Sequence, residues 1–325
     1  MPATVLRKIQ LGRQPLWTTE VAATVRLMAV TDASVSIVDE VLQPEELGIT
    51  APMSLPAQVM QHAEGSFTLQ ASYQDLSYLA RGVFGTAATS AAASTTYVRS
   101  NAVAVSTTPT PVIWTMQYGS PSAEYQIGSA IMTNLQISGE AGGVWEAAVD
   151  VIGRAVEANA LTSALALRAV DLIKMSDTTF KVDAWAGAMG ATAAPATLIS
   201  FALTASPGYH LKTFAGSLNP SSYGADRWEG ELTTTLEFNA SAKAYVDALL
   251  TGLVQRQIQI SATQGAGTAA REATINFCGT LIDGAELFGD RNGNVTVELT
   301  WKGTYNATFG GWLTLRTKTE NATLV

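Results

Sequence analysis

The sequence predicts a mainly β (α+β) fold made of two similar halves, each with one short amphipathic helix. Many short segments alternate apolar and polar residues, which is the period of a half-buried strand. Two segments follow the helical period instead, and they lie 166 residues apart (242 − 76). Glycine-marked turns recur in the same order in both halves, which is difficult to obtain by chance.

The composition is that of a globular protein. The chain has 325 residues, of which 47% are hydrophobic and 14% are charged, so it has enough apolar material for two domains. The low charge content suggests a surface that is buried against partners, or one that is rich in Thr, Ser and Gln. The net charge of −8, from 27 acidic and 19 basic residues, comes without a basic cluster and disfavours tight binding to nucleic acid.

Residue types that build metal and redox sites are scarce. Cys278 is the only cysteine, which excludes an intrachain disulfide and favours a small buried side chain. The two histidines, His62 and His210, are too few for a histidine-based metal site without carboxylates. No run is long enough to span a bilayer, and the N-terminus lacks the apolar segment of a secretory signal, so we expect synthesis and initial use on the cytoplasmic side.

The N-terminal part of the chain is predicted to be extended and then loop-like. Residues 1–20 lack a sustained period and contain Pro15, which argues against a helix, so we expect an extended arm. Residues 21–38 contain strand-like alternation. Residues 39–63 carry three prolines and four acidic residues. We expect a long loop there, and loops of this length are usually functional or bound to a partner.

A strand followed by a helix is the clearest unit of the first half. Phe67, Leu69 and Ala71 alternate with polar residues. Five apolar residues then fall on one helical face: Leu76, Leu79, Ala80, Val83 and Phe84. Ser72 and Asp75 form a helix start signal, and Gly85 lies where the helix is expected to end.

Further segments complete the first half and lead into the second. Residues 86–111 are rich in Ala, Ser and Thr and are predicted to form a surface excursion. Residues 154–170 form the expected connector, with a weak pattern for a short helix, and 206–227 is expected to be a loop. A glycine-rich hairpin turn is predicted at 139–143. Strands are predicted over 112–118, 124–128, 130–138, 144–152, 179–185 and 198–203.

The second half repeats the order of the first. Glu229 and Gly230 correspond to Glu64 and Gly65 at an offset of 165 (229 − 64). The second helical face comprises Ala242, Tyr245, Val246, Leu249 and Leu250, and Gly252 ends that helix. Downstream, the offset falls to 150 or 151 for four glycine pairs: Gly128 and Gly279, Gly139 and Gly289, Gly143 and Gly293, Gly153 and Gly303. The smaller offset reflects a longer connection after the first helix.

This order of strand, long loop, strand, helix, strand and β-hairpin resembles the tail-tube fold of long-tailed bacteriophages, in particular major tail tube proteins with two such domains in one chain. The resemblance is carried by residues 64–85 and 127–143 and by their counterparts, 229–252 and 278–293. It extends from residue 20 to residue 310. We therefore expect an N-terminal arm over 1–20, tail-tube-like domains over 21–160 and 161–310, and a C-terminal segment over 311–325.

The resemblance implies an architecture and a function. Each domain would be a β-sandwich or half-barrel, and neighbouring sheets would join edge to edge into a ring-shaped β-barrel around a channel. Six domains usually form such a ring, so the duplicated chain is expected as a homotrimer acting as a pseudo-hexamer. Stacked rings would form a tail tube that conducts viral DNA without binding it specifically. An acidic, Thr/Ser/Gln-rich wall fits this passage, because it offers no counterion release.

The resemblance also implies partners and interface segments. The partners are further copies of the chain and the other tail proteins: tape measure, tip and terminator. The location is the virion, with assembly in the host cytoplasm, and no catalytic residue, cofactor or metal is expected. The candidate ring-stacking residues are Glu45, Glu46, Leu47, Ile49, Met53, Leu218 and Trp228. The repeat-defining scaffold residues are Gly65, Leu76, Leu79, Gly128, Gly230, Val246, Leu249 and Gly279.

Sequence motifs that could form a catalytic or ligand-binding site have simpler interpretations. Residues 290–294 begin like a calcium loop but lack its central glycine and distal glutamate, which favours a hairpin turn. The paired carboxylates of the 39–63 loop favour a solvated or interface role, and residues 265–270 lack the third glycine of a dinucleotide fingerprint. Trp114, Trp145 and Trp301 lie in predicted strands, where core packing is commoner than sugar binding.

Two alternatives stay open from the sequence. The first is a related phage part, such as a tail-tip or terminator ring, or the tube of a contractile injection system. The second, from another class, is a β-rich carbohydrate-active enzyme. A tube predicts open-ended polymerisation and a tip ring stops at one oligomer, whereas the enzyme predicts a cleft with paired carboxylates.

Overall fold

The computed structural model has the mainly β fold that the sequence predicts. It describes residues 6–42, 56–85, 88–90, 96–194, 197–250, 252–284, 289–291, 293–321 and 324. Twenty strands and two α-helices lie within these ranges. All pairs between these strands are antiparallel.

The elements are numbered in chain order. The first half contains β1 (Lys8–Arg13), β2 (Val25–Arg26), β3 (Val30–Leu42), β4 (Ala57–Gln70), α1 (Tyr73–Phe84), β5 (Ala88–Ser90), β6 (Tyr97–Ala102), β7 (Trp114–Ser120), β8 (Ala123–Glu140), β9 (Glu146–Gly153) and β10 (Ala155–Ala158). The second half contains β11 (Thr178–Ala184), β12 (Leu198–Ser206), β13 (Tyr209–Lys212), β14 (Ser222–Ala225), β15 (Glu229–Glu237), α2 (Ala240–Leu249), β16 (Gln255–Gln264), β17 (Arg271–Gly284), β18 (Gly289–Arg291), β19 (Asn294–Gly303) and β20 (Leu313–Thr319).

Eight strands form one continuous sheet, which we call the principal sheet. Its order is β3, β4, β9, β8, β12, β15, β19, β17. The first four strands come from the first half and the last four from the second, in the same relative order. The halves meet where β8 pairs with β12, from Leu135 opposite Ala205 to Glu140 opposite Ser200.

The long strands β8 and β17 leave the principal sheet and continue into a second layer. The N-terminal part of β8 pairs with β7 and β10, and β7 pairs with β1. The N-terminal part of β17 pairs correspondingly with β16 and β20, and β16 pairs with β11. The repeat that glycine spacing predicts is therefore visible in the strand pairing.

Helix α1 begins and ends where the sequence predicts. The Ser72 hydroxyl accepts a hydrogen bond from the Asp75 amide at 3.0 Å, which satisfies one of the free amides of the first turn. Gly85 has a φ of 82° and its amide donates to the Arg81 carbonyl at 2.9 Å. Glycine suits this position because a side chain strains a positive φ.

The core lies between the principal sheet, the second layer and α1. One row of opposed residues crosses all eight strands on the core side: Val30, Leu69, Ala147, Ile137, Leu203, Leu232, Trp301 and Leu281. All of these are buried except Val30, which is partly buried. The core role predicted for Trp114, Trp145 and Trp301 is confirmed, since each is at most 1% exposed.

The long loop predicted over 39–63 is wrong at both ends. Residues 39–42 belong to β3 and residues 57–63 to β4, and the two strands form a long hairpin. The end of β3 is exposed on both faces, so it lacks the apolar alternation by which a strand is predicted. Residues 43–55 lie outside the described residues.

The Ala/Ser/Thr-rich stretch over 86–111 is more than a surface excursion. Strand β6 lies within it and pairs with β20 near the C-terminus. Arg99 and Asn101 of β6 are buried, and the Asn101 amide donates to the Leu315 carbonyl at 3.1 Å. Composition misses this strand because its buried side chains are polar and hydrogen-bonded.

Other segments also differ from prediction. The connector 154–170 contains β10 and no helix, and the predicted loop 206–227 contains the hairpin of β13 and β14. The strands predicted over 124–128 and 130–138 are one strand, β8, with Ser129 at a φ of 50°. Strand β18 occupies the first part of the turn predicted at 289–293, with Arg291 opposite Asn294.

Both terminal segments contribute to the body of the protein. Strand β1, within the predicted arm, pairs with β7 and buries Ile9 and Leu11. Strand β20 lies between β17 of the second half and β6 of the first. The described parts of both terminal segments are therefore integral to the fold, although they lie near the ends of the sequence.

Candidate functional surfaces

The principal sheet has one polar face, opposite the core. A second row of opposed residues crosses all eight strands on this side: Asp32, Thr68, Ala148, Gln136, Thr204, Glu231, Lys302 and Thr280. Ser34 and Ser66 hydroxyls lie 3.0 Å apart, and the Asn134 amide donates to Asp150 at 3.0 Å. We call this side the polar face.

Charge on the polar face is strongly one-sided. Among the described side chains of these eight strands, the charged residues of this face that are exposed are Asp32, Glu40, Glu64, Glu140, Glu146, Asp150, Glu229, Glu231, Glu237, Glu298 and Lys302. Ten of the eleven are acidic, so the face repels polyanions and offers almost no cations that could replace the counterions of a polyanion.

The joint between the halves combines backbone pairing with aromatic packing. Trp145 of the first half is fully buried, and its ring meets that of Phe201 at a centroid distance of 5.0 Å and an angle of 73°. Its indole nitrogen donates to the Thr178 hydroxyl at 3.0 Å. Both contact residues belong to the second half, so the joint has its own core.

The outer edge of β3 corresponds to the edge by which β12 joins β8. The Ala33 carbonyl accepts from the Tyr118 hydroxyl at 3.0 Å, and its amide donates to the Asp32 carboxylate at 2.9 Å. Both groups of a residue point the same way in an antiparallel strand, so Ala33 directs them away from β4. Val35, two residues on, has the same orientation.

A buried ion pair fixes α1 to the connector between the halves. The Asp75 side chain is 1% exposed and pairs with Arg168. It also accepts from the Ser72 hydroxyl at 2.9 Å and from the Met28 amide at 3.3 Å. Burial raises the pKa of Asp75, and the Arg168 guanidinium opposes this shift. The arrangement is a structural tie between three segments.

The predicted scaffold residues lie at comparable places in the two halves. Leu76 and Leu79 of α1 are fully buried, whereas in α2 Val246 is buried and Leu249 is partly buried. Gly65, Gly128, Gly230 and Gly279 lie in β4, β8, β15 and β17. Gly230 faces the Trp312 ring and the Thr204 carbonyl, so a Cβ atom there would clash.

The predicted ring-stacking residues divide into three groups. Leu218 is 40% exposed, and its carbonyl accepts from the Gln61 amide at 3.0 Å. Trp228 is partly buried against the core, and its ring stacks on Phe84 at a centroid distance of 5.1 Å. Glu45, Glu46, Leu47, Ile49 and Met53 lie outside the described residues.

The remaining sequence motifs lie in turns or make hydrogen bonds within the fold. The Asp290 carboxylate accepts from the Gly293 amide at 2.7 Å within a hairpin. Asp39 accepts from Gln58 and Gln61 at 2.8 Å. Residues 265–267 lie in the turn between the paired strands β16 and β17, where a single 3-10 turn (Gly267–Ala269) follows and not an α-helix. Among the described residues, no group of three or more His, Cys, Asp or Glu side chains has a metal-binding arrangement.

Two further observations concern Cys278 and the helices. Cys278 is buried, and burial raises the pKa of its thiol to about 12, so the thiol stays protonated and unreactive. Neither helix within the described ranges is long and apolar enough to cross a membrane.

Comparison with known proteins identifies a family. The family described as phage tail tube protein matches residues 8–303, which include every strand of the principal sheet. A comparison with curated proteins finds no matching relative. The chain belongs to the phage tail tube protein family, whose members are structural subunits of the virion.

Proposed function

We propose that copies of this chain join edge to edge into a ring whose polar face lines a channel for viral DNA. The observation that carries the proposal is the β8–β12 joint, where a strand edge of the first half pairs with that of the second. The outer edge of β3 corresponds to the edge of β12 that pairs with β8. It therefore fits the outer edge of the second half of another copy, where β17, the counterpart of β8, is the last strand of the principal sheet. Three chains supply six equivalent halves, which supports a homotrimer acting as a pseudo-hexamer.

Blocking the β3 edge tests the proposal. Val35→Pro removes an amide that points away from β4 and places a ring on the edge, so the intrachain hairpin keeps its hydrogen bonds. We expect the concentration needed for assembly to rise at least about tenfold, since each lost ladder bond and the added clash weaken the joint. Negative-stain microscopy and sedimentation velocity measure this, with circular dichroism to verify folding.

Val35→Thr is the matched control, because it keeps both the amide and a β-branched side chain. It should form hollow tubes or trimeric rings as the unmodified chain does. A folded Val35→Pro chain that assembles normally would contradict the β3 joint. An unmodified chain that stays monomeric at high concentration would contradict the structural function itself.

The acidity of the polar face supports free passage of DNA. We propose that phosphates slide past this wall because it neither binds them nor releases counterions. Glu231→Lys with Glu298→Lys places cations on two neighbouring strands of the face. Assembled tubes of this variant should retain short duplex DNA in co-sedimentation at low salt and lose it as salt rises.

The matched control for this charge reversal is Glu231→Gln with Glu298→Gln, which removes the charge without adding cations. It should retain far less DNA than the lysine variant. Equal, weak retention by both variants would show that the polar face does not line the channel.

Ring stacking is assigned to the hairpins on one side of the chain. The β3–β4 hairpin and the β13–β14 hairpin meet through the Leu218 carbonyl and through the Asn219 amide, which donates to the Gln61 carbonyl at 3.1 Å. These hairpins, together with the terminal segments, are the surfaces we propose for the next ring and for the tape measure, tip and terminator proteins. Assembly would take place in the host cytoplasm.

A further inference from the structure

The two helices occupy equivalent positions in the repeat but differ in the exposure of their side chains. Eleven of the twelve residues of α1 are buried, whereas in α2 only Ala242 and Val246 are. Leu250 corresponds to Phe84 at the helical offset of 166 (250 − 84). Phe84 is 9% exposed, but Leu250 is 82% and Leu253 is 83% exposed. Large apolar side chains that are exposed this close together in sequence favour a surface that a partner covers.

The second half of the same chain covers α1. The Trp228 ring stacks on Phe84, and the Tyr209 hydroxyl donates to the Val83 carbonyl at 3.3 Å. The segment after β20 crosses the helix as well. There the Arg81 guanidinium donates to the Leu324 carbonyl at 2.7 Å, and the Asn321 amide donates to the Gln74 carbonyl at 3.2 Å.

The repeat identifies the counterpart of this cover. Strand β20 pairs with the N-terminal part of β17, and β10 pairs with the same part of β8. The segment after β10 is therefore the counterpart of the segment after β20. It is rich in exposed small and apolar residues, which are Ala164, Ala166, Leu167, Ala169 and Val170. Leu167 is 67% exposed although it lies in the connector between the halves.

We infer that the end of α2, at Leu250 and Leu253, docks on the connector segment 163–170 of the next copy. One exposed apolar surface lies on α2 of the second half and the other on the connector that follows β10 of the first half. Copies would therefore join head to tail, and the contact would repeat around a closed ring. This inference rests on the proposed ring but adds a second contact beside the β3 edge. It explains why α2 is exposed while its equivalent, α1, is covered.

Cysteine cross-linking tests this contact directly. Leu253→Cys combined with Leu167→Cys places one thiol on each proposed surface. The native Cys278 is buried and its thiol stays protonated, so it contributes little background. Assembled chains treated with a short bis-maleimide should give covalent species of two and three chains on a denaturing gel. Each single variant should give at most pairs in low yield.

The matched control pairs Leu253→Cys with Tyr305→Cys, since Tyr305 is 56% exposed but belongs to the same half as α2. This pair should not produce covalent species of two and three chains. A Leu253/Leu167 variant that assembles into rings or tubes without giving these species would overturn the docking while leaving the proposed function standing. Failure of the unmodified chain to assemble would instead overturn the proposed function.

Discussion

Trp145→Ala is expected to lower the free energy of unfolding by about 3–5 kcal/mol, the usual cost of deleting a large buried aromatic side chain. The indole is fully buried between the halves. Its removal leaves a cavity against Phe201 and leaves the Thr178 hydroxyl without its indole donor. The loss falls on the joint, so assembly should weaken together with stability.

Urea denaturation at a fixed chain concentration measures this effect, since association shifts apparent stability. Trp228→Ala is the matched control, because that ring is only partly buried and its removal should cost less. A double-mutant cycle with Phe201→Ala should give a coupling of about 0.5–1.5 kcal/mol, the range for aromatic pairs. A coupling near zero would mean that the two rings do not hold the halves together.

Local signals were sufficient for the elements whose ends they define. The Ser72 cap and Gly85 fix α1, and Gly142, with a φ of 86°, makes the turn between β8 and β9. These features depend on a few adjacent residues. The sequence could therefore predict them without knowing what packs around them.

The functional surfaces depend on contacts that are distant in sequence. The alternation of a single strand, such as Leu232, Thr234 and Leu236 in β15, shows which residues share a face. It does not show that β12 lies beside β8, because that pairing joins residues 60 (200 − 140) to 70 (205 − 135) positions apart. The polar face and the free edge of β3 appear only once this pairing is known.

The sequence also could not predict that α1 is covered while the equivalent helix α2 is exposed. Both helical faces carry apolar residues at the same spacing, yet only α1 lies under β20 and the segment that follows it. Strand β6, which pairs with β20, was missed because it buries polar side chains. The two helices differ in exposure because the C-terminal end of the chain packs back on its first half and covers α1.

Arg168→Ala is expected to destabilise the chain by about 3–5 kcal/mol at neutral pH, because it leaves the Asp75 carboxylate buried without a cation. The guanidinium also lies 5.0 Å from the Tyr78 ring and donates to the Arg26 carbonyl at 3.0 Å. The connector would lose its tie to α1. Chemical denaturation at equal chain concentration measures the loss.

The pH dependence of this loss separates the ion pair from simple packing. Burial already raises the pKa of Asp75 in the folded chain, so the native state takes up a proton at a higher pH than the unfolded chain does. Stability from this group therefore falls as pH rises through the folded pKa. Removing Arg168 raises that pKa further, so the variant should lose less stability at pH 5 than at pH 8.

Asp75→Asn combined with Arg168→Ala is the control, since asparagine does not titrate. This double variant should differ from Arg168→Ala most at pH 8 and least at pH 5, where the carboxyl of the single variant can be protonated. An Arg168→Ala loss that is the same at both pH values would assign the role of Arg168 to its contacts with Tyr78 and Arg26. The tie between α1 and the connector would then depend on packing rather than on charge.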